Sequence, residues 1–96
     1  MSIYYLGQVD AEFSFDFFGQ GSVVSIPALH AVLEHATEDQ FSHHVDGTRN
    51  DIALWVREVV KDEALSHLLE IHPTQQEMTA ILKMRIAQLE KKAGWK

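Results

Sequence analysis

"AEFSFDFFGQGSVVSIPALHAVLEHA", residues 11–36, changes its hydrophobic period halfway along, and that change decides the fold class. In its first part Phe13, Phe15 and Phe17 alternate with Glu12, Ser14 and Asp16. A period of two belongs to a strand with one buried face. "FGQGS" then supplies Gly19 and Gly21, both able to take positive φ, ahead of the β-branched pair Val23-Val24. Strand, glycine turn and strand predict a hairpin. From Ser25 the period lengthens, and Ile26, Leu29, Val32 and Leu33 form a helical stripe that ends near Ala36. Ser25 and Pro27 are residues that open helices. A lone hairpin is marginal in water, so "IYYL", residues 3–6, is the candidate third strand.

Downstream, the start signals of further helices follow one another. Thr37 and Gln40 fit a capping box, in which a hydroxyl and a side chain three residues later satisfy each other's free amides. It opens a short helix running through His44. Thr48 or Asn50 caps a helix whose inner face is Ile52, Trp55, Val56 and Val59, and Asp62 caps another carrying Leu65, Leu68 and Leu69. After Pro73, Thr74 and Glu77 repeat the box and open a long amphipathic helix with Met78, Ile81, Leu82, Ile86 and Leu89 at three- and four-residue spacings. The expectation is an α+β fold: an N-terminal β-hairpin or small antiparallel sheet, then a compact bundle of about five helices. Residues 1–24 form the sheet, 25–72 a short-helix module and 74–93 the terminal helix, all within one domain of 96 residues. A chain of this size buries roughly 65% of its unfolded surface, enough for one core.

Composition narrows the function. Hydrophobic residues are 46% and charged residues 23%, which suits a globular domain and is too apolar for disorder. With no cysteine, disulfides and thiolate metal sites are excluded. The N-terminus lacks the basic start of a signal peptide, and no apolar run approaches the ~20 residues of a membrane span. A cytoplasmic protein that does not engage a membrane is expected. Residues 1–50 carry seven acids against one base, Arg49, while residues 51–96 balance. An acidic half repels phosphate backbones, so nucleic acid is not an expected partner. Lys83, Arg85, Lys91, Lys92 and Lys96 make the last stretch basic, as the dipole of a terminal helix favours.

Six histidines raise the question of metal. A zinc site needs three or four groups converging at about 2 Å. His43 and His44 are neighbours, about 100° apart on a helix, and His30 and His35 are five apart and also off one face. His30 with Glu34, and Glu63 with His67, have the four-residue spacing of side-by-side pairs. No cofactor or metal is expected. "FGQGS" is no dinucleotide fingerprint, since it lacks the full G-x-G-x-x-G and does not lead a strand into a helix in the required order.

The richest cluster is "FSHHVDGTRNDIALWVREVV", residues 41–60. His43 or His44 with Asp46 or Asp51 has the makings of a general base and its orienting carboxylate, but no serine or threonine lies in a nucleophile elbow. The alternative reading is architectural. Gly47 ends one helix in the left-handed conformation, Asn50 or Thr48 starts the next, and Trp55 buries a large face whose N–H needs an acceptor. Asp51, Arg57, Glu58 and Lys61 cancel in charge, which does not suit a DNA-reading helix.

Phe41, His44, Val45, Asn50, Asp51, Trp55, Val56, Val59, Asp62 and Leu65 together resemble the signature of a family of small uncharacterised prokaryotic domains, chiefly archaeal. That signature runs F-x-x-H-V, N-D-x-x-x-W-[IV] and V-x-x-D-x-x-L, and the likeness covers roughly residues 13–70. It implies a compact, mostly helical module and carries over no activity. His44 matches it and His43 does not, which implies a cap or core hydrogen bond for His44, with Asp51 as its candidate partner. His44, Asn50, Asp51 and Trp55 are thus expected to form a structural corner. The expected function is a non-catalytic protein-interaction or self-association module, its partner a protein or a second copy. Its expected surface is the terminal helix, through Met78, Leu82, Arg85, Ile86 and Leu89. The alternative is a small histidine- or metal-dependent hydrolase centred on His43, His44, Asp46 and Asp51.

Overall fold

The computed structural model describes residues 7–92, so the strand expected at 3–6 lies outside the described residues. A single turn of 3-10 helix, Ala11–Phe13, leads into β1 (Phe15–Phe17), which pairs antiparallel with β2 (Gly21–Val23). Five helices follow: α1 (Ile26–His35), α2 (Glu38–Ser42), α3 (Asp51–Trp55), α4 (Glu63–Ile71) and α5 (Gln75–Lys92). The chain is α+β, a small antiparallel sheet followed by helices of which the last is long.

The hairpin turn places Gly19 at φ 78° and Gly21 at φ 95°, both left-handed. Phe15 lies opposite Val23 and Phe17 opposite Gly21. Phe17 and Val23 are buried, but Phe13 is half-exposed and belongs to the preceding turn. The phenylalanine alternation therefore overstates the strand by one repeat. The amide of Phe13 donates back to Asp10 O, which curls the chain before the ladder begins.

The caps that the sequence announces all form. Ser25 accepts from the Ala28 amide, Thr37 from Gln40, Asn50 from Ala53, Asp62 from Leu65 and Thr74 from Glu77. The box at Thr37 is reciprocal, since the Gln40 side chain accepts from the Thr37 amide. Such caps satisfy the free amides of a first turn, at about 1 kcal/mol each.

Past Trp55 the helix widens into a π-helical turn, Val56–Val60, closed by the Lys61 amide on Val56 O at 2.8 Å. Lys61 then takes φ 70°, the left-handed conformation that ends a helix, and releases the chain into the Asp62 cap.

The core joins both layers. Phe17 and Val23 of the hairpin pack with Ile26, Leu29 and Leu33 of α1, Ile52 and Trp55 of α3, Val56 of the π-helical turn, Leu65 and Leu69 of α4, and Met78 and Leu82 of α5. Val59 and Ile86, expected inside, are half-buried at its margin, and Leu68 is exposed.

Candidate functional site

The loop between α2 and α3 is folded by its own polar groups. The amides of His44 and Val45 both donate to Phe41 O, at 3.0 and 3.1 Å, so α2 ends at Ser42 and His44 turns inward. Val45 and Asn50 form an isolated antiparallel bridge. Between them the Asp46 carboxylate accepts from the Thr48 amide (2.7 Å), the Thr48 hydroxyl (2.8 Å) and the Arg49 amide (3.1 Å). The Thr48 amide, then its hydroxyl, hold the Asp46 carboxyl below the usual aspartate range, with Arg49 adding to them against a small desolvation. Gly47 is not the left-handed stop that the sequence suggests, since the positive-φ glycines among the described residues are Gly19 and Gly21. The His44 and Val45 amides on Phe41 O do that work.

His44 is 7% exposed, and both of its ring nitrogens are engaged. Nε2 lies 2.9 Å from the Phe18 amide nitrogen. A backbone amide can only donate, so Nε2 is the unprotonated nitrogen and Nδ1 carries the hydrogen. That hydrogen points to Asp51 Oδ2 at 3.3 Å, which also faces Arg49 Nε at 3.6 Å. The ring is packed between Phe15 and Phe17, with centroids at 4.9 and 4.8 Å. His43 is exposed and stacks on Phe18 at 4.4 Å with planes 17° apart.

Of the four residues proposed for hydrolytic chemistry, His44 and Asp51 meet. A general base needs a nitrogen free to reach a substrate proton, and His44 has none. Asp46 is spent on its own loop, and His43 lies outside on the Phe18 ring. Among the described residues no three histidine, aspartate or glutamate side chains converge as a metal site. His30 does reach Glu34, at 3.7 Å.

The rest of the corner is joinery. Asn50 caps α3 with Oδ1 and donates from Nδ2 to Leu69 O at 3.1 Å, tying α3 to α4. Ser66 adds a second tie, donating to Ala53 O at 2.9 Å. Trp55 donates from its indole N–H to Phe13 O at 2.8 Å and so pins the segment before the hairpin.

The terminal helix presents a different face from the one expected. Met78, Leu82 and Leu89 are at most 1% exposed, and Met78 and Leu82 belong to the chain's own core. Arg85 is bound to Asp62 and Ile86 is half-buried. The Met78 and Leu82 face of α5 is closed inside the molecule. What α5 leaves outside is Met84, 63% exposed, across a groove from Leu68, 41% exposed. Ile71, one turn beyond Leu68, is exposed as well. The groove, about 190 Å³, runs between α4 and α5 over Ala64, Leu65 and Ile81. Met84 stands off the Met78–Leu82–Leu89 stripe between Lys83 and Arg85, and an apolar residue in that place was the signal available in the sequence.

A scan against protein-family models finds no match, and neither do searches of the curated proteins and of the solved structures. Among the described residues no helix is long and apolar enough to cross a membrane.

Proposed function

We propose that this chain is a cytoplasmic, non-catalytic interaction module of prokaryotic type, docking a protein partner or a second copy through the α4–α5 groove. The observation that carries this reading is the pairing of Leu68 and Met84, exposed on adjacent helices and lining one apolar groove. Contiguous exposed apolar surface has a cost in water that a partner relieves. The polar residues of the resembled signature support the same reading, since His44, Asn50, Asp51 and Asp62 are all engaged in holding elements together. Nothing in this reading calls on nucleic acid, metal or a membrane.

The test uses Leu68→Asp with Met84→Asp. Both positions are outside the core, so the double variant should keep the wild-type circular dichroism and melting profile. Sedimentation over a range of concentrations and affinity capture from host lysate are then compared with wild type. Loss of self-association, or of one stoichiometric partner, supports the reading. A wild-type protein that stays monomeric and captures nothing, or a variant that retains everything the wild type binds, overturns it.

A further inference from the structure

His44 joins the only two parts of the described chain that differ in kind, the hairpin and the helical body, and it does so in one protonation state. We propose that His44 is a proton-operated latch: in its neutral form it holds the hairpin tip at Phe18, and a second ring proton releases that tip. The Phe18 amide donates to Nε2 at 2.9 Å. Once Nε2 carries a hydrogen, two donors face each other across that distance and the bond is lost. This inference stands apart from the α4–α5 groove and does not depend on it.

Charged and titratable groups face the ring from α3 and from its own segment. On α3, Asp51 faces Nδ1 at 3.3 Å. It is itself more than a third exposed and shared with Arg49. From its own segment, His43 stands edge-on with its centroid 5.1 Å away. Asp46 is turned to the Thr48 and Arg49 amides of its loop. From β1 the neighbours are Phe15 and Phe17, which bring no charge and little water. No group in this set replaces Nε2 as acceptor for the Phe18 amide.

The tip has few other attachments. Gln20 donates from its amide to Phe17 O at 2.9 Å and from its side chain to Gln40 at 2.8 Å, and Phe18 itself is 54% exposed, lying on His43. Release therefore frees the Phe18 amide and leaves the β1–β2 ladder in place.

The experiment follows, by NMR from pH 8 to pH 5, the nitrogen shifts of the His44 imidazole and the exchange protection of the Phe18 amide. At pH 8 Nε2 should show the shift of an unprotonated acceptor. On acidification Phe18 protection should fall about tenfold with the same midpoint as imidazolium formation, while the amides of the β1–β2 ladder stay protected. In His44→Gln, a side-chain oxygen accepts at every pH, so Phe18 protection should not change. The proposal is overturned if imidazolium forms with Phe18 still protected, or if His44 stays neutral to pH 5. An acid-dependent loss that persists in His44→Gln overturns it equally. Should that variant not fold, the two wild-type curves decide alone.

Discussion

Arg85 clasps Asp62 across 23 positions of sequence, with Nε on Oδ2 at 2.8 Å and Nη2 on Oδ1 at 3.1 Å. Asp62 is 2% exposed, and the same carboxylate caps α4 through the Leu65 amide. One planar fork thus fixes the start of α4 against the middle of α5. Removing the cation alone strands a buried charge, which costs far more than an exposed pair is worth.

Arg85→Ala should therefore destabilise the fold by about 3 kcal/mol, read as a lower urea midpoint. Asp62→Asn keeps the cap and leaves an arginine that can turn to water, so about 1 kcal/mol is expected. The double variant should be closer to Asp62→Asn than to the sum. Simple additivity would show that the pair does not couple.

Gly19 and Gly21 separate two costs of a methyl group. At Gly21, φ is 95° and a Cβ would meet nothing, so Gly21→Ala pays left-handed strain of about 1 kcal/mol. At Gly19, φ is 78° and a Cβ would also run into the Gln40 side chain, whose amide bonds Gln20 and the Thr37 box. Gly19→Ala should cost roughly 2 kcal/mol by thermal melting, the larger of the two. Equal losses would rule out the Gln40 contact as a contributor.

Asp46 should titrate below the ordinary aspartate value of 3.8, because three donors stabilise its ionised form. A lowered folded value means that its contribution to stability is complete above 3.8 and is lost as pH falls through the folded value. Carbon-detected titration of the carboxyl measures this directly. Thr48→Ala removes the hydroxyl and keeps the amide, so it should bring the midpoint part of the way back; an unmoved midpoint would discard the hydroxyl as a cause.

The helix starts were readable because each depends on one side chain acting within three residues of itself. Ser25, Thr37, Asn50, Asp62 and Thr74 all cap as their local sequence indicates. The glycine turn was readable for the same reason. What local pattern could not show is competition for a shared surface. Leu68 keeps helical spacing with Leu65, yet Leu65 and Leu69 fill the interior and leave Leu68 at the groove. Met78, Leu82 and Leu89 look alike whether they meet a partner chain or the chain's own helices, and only the tertiary fold assigns them inward. The cap of α1 was hidden too: its last carbonyls, Leu33 O and Ala36 O, are both met by the Gln75 side chain from 42 and 39 positions away. The role of His44 required Phe18, 26 positions earlier, to be beside it.

The hairpin has three residues in each strand, too few to persist by itself in water. Its anchors are His44 on the Phe18 amide, Trp55 on Phe13 O and the burial of Phe17, and all of them are supplied by residues that come later in the chain. Order of assembly follows from that dependence. The hairpin is synthesised before the residues that anchor it, and it has nothing to close onto until the helical body is in place.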